Sequence, residues 1–160
     1  MIESLISFSK KYPASSYKDD ALFELANAYL KTKQNLMALA TFQQLKSEHK
    51  KSLYLPKALL KIGLIYFNEY QSNKAITQYK YIVENYPNAK EVQQAITNAR
   101  RVYIDIDKVD EYAKWVQSIG YNNVNDIDLE NAMYAAAENK YLKNKWTQSI
   151  ASFEKYFKNF

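Results

Sequence analysis

Apolar residues recur along this chain at steps of three and four, the spacing that lines one face of a helix. Between Pro56 and Pro87 one ridge runs through Leu59, Ile62, Gly63, Tyr66 and Phe67. A second runs through Ala75, Ile76, Tyr79, Ile82 and Val83, parted from the first by the polar Gln71-Ser72-Asn73. The pattern predicts two amphipathic helices joined by a tight turn. Gly63 falls inside the first of them, where glycine costs about 1 kcal/mol against alanine. A small side chain at that point is expected to let the two helices approach closely.

The ridges return at an interval of 37 residues. Tyr29, Ala38 and Phe42 precede Tyr66, Ala75 and Tyr79 by that interval, and Tyr12-Pro13 precedes Tyr86-Pro87 by twice it. Ile96, Ala99 and Tyr103 carry the first ridge onward, with Val116 and Ile119 on the second. Met133, Ala136, Ala137 and Tyr141, then Ser149, Ile150, Phe153 and Tyr156, complete the last pair. Helices are therefore expected near 2–11, 18–32, 35–49, 55–70, 72–86, 89–105, 108–119, 127–142 and 145–159. The reading is one array over 1–160: an orphan helix at 1–13, then units at about 19–50, 56–87, 93–124 and 130–160.

The third unit departs from the rule. Arg100 takes the place of Gly63, and Tyr112 the place of Ala75, so looser or tilted helix contact is expected there. Gly120 is the expected C-cap of the seventh helix, followed by a polar loop over 122–126. The chain opens in the second helix of one unit and closes on another, ending in Trp146, Ile150, Phe153, Tyr156, Phe157 and Phe160 without a polar cap. Terminal repeats normally carry a polar outer face. The expectation is a piece of a longer array, associating end to end through 146–160 or through Ile2, Leu5 and Phe8.

The unit at Pro56–Pro87 resembles the tetratricopeptide repeat, whose pattern is Trp-x2-Leu-Gly-x2-Tyr, then Ala-x3-Phe, then Pro. Leu59 stands for the Trp, Ile62-Gly63 for Leu-Gly, Tyr66 for Tyr, Ala75 for Ala, Tyr79 for Phe, and Pro87 closes the unit. The resemblance implies an all-α solenoid, a right-handed superhelix of antiparallel helix pairs. The Tyr-Pro unit ends and the 37-residue period are similar to a bacterial cell-envelope branch, that of Tol–Pal coordinators and outer-membrane assembly lipoproteins. That branch implies a periplasmic or envelope setting, with the cytoplasm the alternative; the chain has no Cys to carry a lipid.

Composition narrows the function. Only 2 Gly and 3 Pro in 160 residues agree with long helices and few loops. No apolar run is long enough to span a membrane. The absence of Cys removes disulfides, thiolate metal sites and cysteine nucleophiles. Charge is uneven: residues 1–104 hold 15 Lys/Arg against 8 Asp/Glu, and 105–160 hold 7 against 9. The first part would favour acidic or mixed-charge partners, whereas nucleic acid calls for a denser basic stripe.

Little points to catalysis. His49 is the single histidine, among Glu48, Lys50 and Lys51 at a helix end, and reads as a solvated residue near a helix terminus. Alone it makes neither a zinc site nor a catalytic triad. Asp105, Asp107, Asp110 and Glu111 lack the Gly and the spacing of a calcium loop. They read as a polar turn with Asp110 capping the next helix. No cofactor, metal or enzyme motif is present.

In the resembled superfamily the outward side of each first helix lines a concave groove. The matching residues here are Phe23, Asn27, Leu30 and Lys31; Leu60, Leu64, Phe67 and Asn68; Thr97, Arg101, Ile104 and Asp105; and Tyr134, Glu138, Tyr141 and Leu142. Half are large and apolar where solvation would select polar ones, which points to a covering partner. A carboxylate-clamp variant of the fold grips a peptide C-terminus with basic residues. Asn27 fits that pattern, but Phe23, Gln94 and Asn98 stand where its basic residues belong. The expected function is a non-catalytic protein–protein scaffold holding a peptide or helix in the groove. The alternative is a structural spacer within a larger repeat protein.

Overall fold

The computed structural model describes residues 1–120 and 126–160, with the backbone alone for 126 and 127. The polar loop expected over 122–126 lies outside the described residues, apart from Asp126, where α8 opens. Among them the chain is all helix: α1 Ile2–Lys11, α2 Lys18–Lys31, α3 Asn35–Glu48, α4 Leu55–Asn68, α5 Ser72–Asn85, α6 Val92–Asp105, α7 Val109–Ser118, α8 Asp126–Leu142 and α9 Trp146–Asn159. Each begins and ends within three residues of its expected position. The chain divides into two compact units, Met1–Ile96 and Thr97–Phe160, the division falling inside α6.

The turns within the helix pairs repeat as strictly as the ridges. Lys33, Tyr70, Asp107 and Asn144 all adopt left-handed backbone, with φ between 57° and 61°. In each case the next residue donates its N–H to a carbonyl five residues back: Gln34 to Tyr29, Gln71 to Tyr66, Lys108 to Tyr103 and Lys145 to Lys140, at 2.8–2.9 Å. This is the Schellman closure, which satisfies carbonyls that a helix end leaves open. It persists in the third unit, where the sequence match is poorest. Gly120, at φ 60°, follows α7 in the same left-handed way, as expected of it.

The connections between pairs repeat too. Tyr12, His49 and Tyr86 end α1, α3 and α5 with nearly equal dihedrals. Each carbonyl then accepts the N–H three residues on, from Ser15, Ser52 and Ala89. His49 thus occupies a place its counterparts give to tyrosine. It is less open than the solvated residue expected, its side chain 26% exposed. Its Nε2 is buried, with no hydrogen-bond partner and a distance of 3.9 Å to Glu48 Oε2.

In the first unit the core lies between paired helices, with Leu22, Phe42, Leu45, Leu59, Ile62, Tyr79 and Ile82 almost wholly buried. A small residue on α4 faces an aromatic on α5. Gly63 packs against the Tyr79 ring: a Cβ built there would lie 2.7 Å from Tyr79 Cζ and 3.0 Å from Cδ1.

In the second unit Val109, Ala132 and Ala136 form a cluster with Ile104, Leu129 and Met133 packed on it. Tyr112 is 1% exposed, with its ring 5.9 Å from Tyr103 and 6.2 Å from Trp115. The bulk that Tyr79 carries in one repeat is carried one helical turn earlier by Tyr112, while buried Val116 takes the Tyr79 place. Arg100 reaches away to Asp128 at 2.9 Å. In the last pair two small residues meet, the buried Ser149 Oγ donating to the Ala137 carbonyl at 3.0 Å.

The acidic run is answered by lysines of α8 and α9. Asp107 pairs with Lys140 at 2.7 Å, Asp105 with Lys143 at 3.2 Å, and Asp110 with Lys155. Asp110 does not cap α7 as expected. Lys108 is the N-cap, without a side-chain cap bond, and its ammonium meets Glu111 at 2.8 Å. Among the described residues no group of three or more His, Cys, Asp or Glu could hold a metal ion.

Candidate partner-binding face

The expected binding face is built on the outward side of the first helices, and each unit presents its own part. In the first unit, Leu60, Leu64, Phe67 and Asn68 follow one face of α4, since residues four and three apart stack there. Leu64 is 44% exposed, Asn68 is open, and Leu60 and Phe67 are half-buried. On α2 the equivalent places carry half-buried Asn27 and Leu30 and exposed Lys31. The strip is thus part apolar and part amide.

Phe23 is not part of that open face. It is 2% exposed. Its ring stacks on Tyr54 at 5.1 Å and 22°, and meets Phe42 at 5.9 Å. Lys57 Nζ lies 5.5 Å from its centroid on the other element. Tyr54 belongs to the connection entering α4. Its phenol is held above the ordinary tyrosine range, first by a hydrogen bond with Asp20 and then by that carboxylate's charge. The Leu53-Tyr54-Leu55 run was the signal for a covering loop. Tertiary packing, not helix periodicity, decides the exposure of Phe23.

In the second unit the expected residues separate into two kinds. Arg101 and Glu138 are exposed, whereas Ile104 is half-buried and packs onto the Val109–Ala132–Ala136 cluster. Tyr134, 47% exposed, meets Phe153 and Tyr156 edge-on at 5.7 Å each. Tyr156 in turn donates to Glu130 at 2.8 Å, which raises its phenol above the usual range. Tyr141 stands against Trp146 at 4.9 Å and remains half open. Asp105 is engaged by Lys143.

A second feature escaped the sequence reading. Gln43, Lys46 and Ser47 of α3, Lys50 of the connection after it, Leu55 at the start of α4, Tyr81 of α5 and Tyr86 just beyond it line a cleft of about 380 Å³. No helix among the described residues is long and apolar enough to cross a membrane.

Residues 20–52 and 57–89 match the sequence model of the tetratricopeptide repeat family. No curated protein matches the chain. Among solved structures, a tetratricopeptide repeat protein from Parabacteroides merdae superposes with a TM-score of 0.67 at 18% identity, over 99% of this chain and 58% of that one. The chain therefore spans 58% of the length of that relative. A candidate kinesin light chain from Podosopora anserina, with nearly identical TPR-like repeats, gives 0.63 and 0.59 in two crystal structures. Identity is 13% and 12%, and the overlap covers 97% of this chain and 81% and 83% of those chains. At such identities the likeness establishes an all-α helical repeat fold.

Proposed function

We propose that this chain is a non-catalytic interaction scaffold that holds a peptide or helix of a partner protein along its first helices. The observation that supports this is the open strip on α4, where Leu64, Phe67 and Asn68 offer apolar and amide groups together. Asn27, Leu30 and Lys31 repeat that offer on α2. In the second unit Arg101, Tyr134, Glu138 and Tyr141 are the residues placed to contribute. Tetratricopeptide repeats typically mediate protein–protein interaction, which agrees with the two matched segments. The likeness to the envelope branch rests on Tyr12-Pro13, Tyr86-Pro87 and the period, and makes an envelope protein the first partner to seek.

The test is capture of a partner from lysate by the native chain, repeated with Phe67→Ala and Arg101→Ala. Loss of the same partner on substitution, with thermal stability kept, supports the scaffold. A chain that captures nothing favours the spacer.

Self-association is the second element of the reading. On α9, Trp146, Ile150 and Phe157 are 51–73% exposed and follow one helix face, with Phe160, 51% exposed, capping its end. Burial of such area gives about 25 cal/mol per Å². Sedimentation at micromolar concentration, with Ile150→Glu and Phe157→Glu beside the native chain, reads it. A native chain that stays monomeric removes this element.

A further inference from the structure

We infer that the α2–α3 and α4–α5 turns together dock onto an anionic lipid surface, their apolar side chains entering the headgroup region and their lysines meeting its phosphates. The site lies at the helix ends and does not depend on the partner strip described above. The inference begins from three side chains at places the repeat otherwise keeps polar. Leu36 stands where the other units carry Asn73, Asp110 and Thr147. Met37 stands where they carry Lys74, Glu111 and Gln148, and Tyr70 where they carry Lys33, Asp107 and Asn144. Leu36 is 81% exposed, Met37 49% and Tyr70 94%.

Single exposed apolar residues are ordinary, whereas a cluster of them marks a contact surface. The two turns are neighbours: the Asn35 amide donates to Glu69 Oε1 at 3.5 Å, tying the start of α3 to the residue before Tyr70. Tyr70 adds a second observation. It holds left-handed backbone at φ 57°, which a non-glycine residue adopts at a cost. Packing does little to offset that cost for a side chain so exposed, and a local rule broken without structural return marks function. In the second unit the turn between α8 and α9 has the same character. Leu142, 71% exposed, stands where Lys31, Asn68 and Asp105 do, and half-open Trp146 follows it.

Charge selects the occupant. Lys31, Lys33 and Lys74 outnumber Glu69 around the first-unit turns, and Lys145 flanks the α8–α9 turn. Lys33, Lys74 and Lys145 are exposed, and no described carboxylate forms an ion pair with them. Lysine is depleted from protein–protein interfaces, but beside a membrane each one is drawn to anionic headgroups. Its stem lies along apolar surface while the ammonium stays with the phosphates. Tyrosine and tryptophan prefer the same boundary between water and lipid. Size agrees: three side chains on two turns are far fewer than the roughly 20–30 residues a side of a stable protein interface. Lipid binding instead adds a small buried apolar area to electrostatic attraction.

The experiment is co-sedimentation of the whole chain with vesicles of equal parts phosphatidylcholine and phosphatidylglycerol, and with vesicles of phosphatidylcholine alone. The native chain is compared with two double variants, Leu36→Ser with Tyr70→Ser and Lys33→Gln with Lys74→Gln. Leu53→Ser and Phe157→Ser, exposed apolar residues away from these turns, are the controls. All these substitutions fall on exposed residues, so the variants are expected to keep the native fold. The expected result is binding to the mixed vesicles, weakened about tenfold by each double variant and unchanged in both controls. Equal binding to the neutral vesicles overturns the inference, as does an absence of binding up to about 1 mM lipid. Equal weakening by Leu53→Ser or Phe157→Ser overturns it as well. A protein captured from lysate and lost in the Leu36→Ser, Tyr70→Ser variant, while its vesicle binding stays native, would make these turns a protein-docking site instead.

Discussion

Gly63 lies directly beneath the ring of Tyr79, so closely that no side chain larger than hydrogen fits between α4 and that ring. In an isolated helix, replacing glycine by alanine is worth about 1 kcal/mol. Here the sign reverses. Gly63→Ala is expected to destabilise by about 1–3 kcal/mol through overpacking, measured as a lower urea midpoint. Pairing it with Tyr79→Leu should return part of that loss; the same loss in both backgrounds would show that the ring is not the obstacle.

Tyr70 holds left-handed backbone with its side chain 94% exposed. A non-glycine residue pays about 1–2 kcal/mol for that conformation, and glycine avoids it at some cost in unfolded-chain entropy. Tyr70→Gly is therefore expected to raise thermal stability by up to about 1 kcal/mol. Asn144→Gly should gain less, since asparagine already tolerates the region. A loss of stability in Tyr70→Gly would mean that the tyrosine side chain contributes more than its exposure implies.

Glu48 accepts from Lys18 at 2.8 Å and from Gln44 at 2.9 Å, joining the start of α2 to the end of α3. These bonds, the Lys18 one foremost, lower its pKa. A lowered carboxylate stabilises the fold above its unfolded pKa, and that contribution disappears as pH falls through the folded value. The pair is open to solvent, so it is worth under about 1 kcal/mol after screening. The stability gap between the native chain and Glu48→Gln should close on acidification and narrow in high salt. A gap unchanged at low pH would place the effect elsewhere.

Tyr112 gives the opposite sign. Burial pushes its pKa to about 12 from an ordinary 10, with the nearby Arg100 charge opposing and Asp128 reinforcing. The neutral phenol is fully retained below the unfolded pKa, and its contribution is lost as pH rises toward the folded one. Alkaline unfolding should steepen between those values. Tyr112→Phe should flatten that limb, and phenolate absorbance should show one tyrosine ionising only with unfolding.

The periodic part of this architecture was readable because it is repeated chemistry: the same ridge residues return at 37-residue spacing, and the helices follow them. The left-handed turns were not readable, since Lys33, Tyr70, Asp107 and Asn144 share no residue type and only the backbone bonds unite them. The exposure of the candidate face was readable where it depends on one helix alone, as at Leu64 and Asn68. It was misread where a second element supplies the cover, as where Phe23 disappears under Tyr54. Ile104 stays half-buried against the cluster that holds Val109.

The displacement of bulk from the Tyr79 place to the Tyr112 place has a consequence for how such arrays diverge. The gap between paired helices must be filled, but the fold does not prescribe which turn fills it. A lineage can therefore exchange the set Gly63, Ala75 and Tyr79 for the set Arg100, Tyr112 and Val116, provided the three changes are made together. Added bulk without the matching loss overpacks the gap and the loss alone leaves a cavity, so substitutions here are expected to be epistatic in sign. Residue-by-residue comparison between repeats then underestimates kinship, because what is inherited is the filled volume rather than the identity at any position.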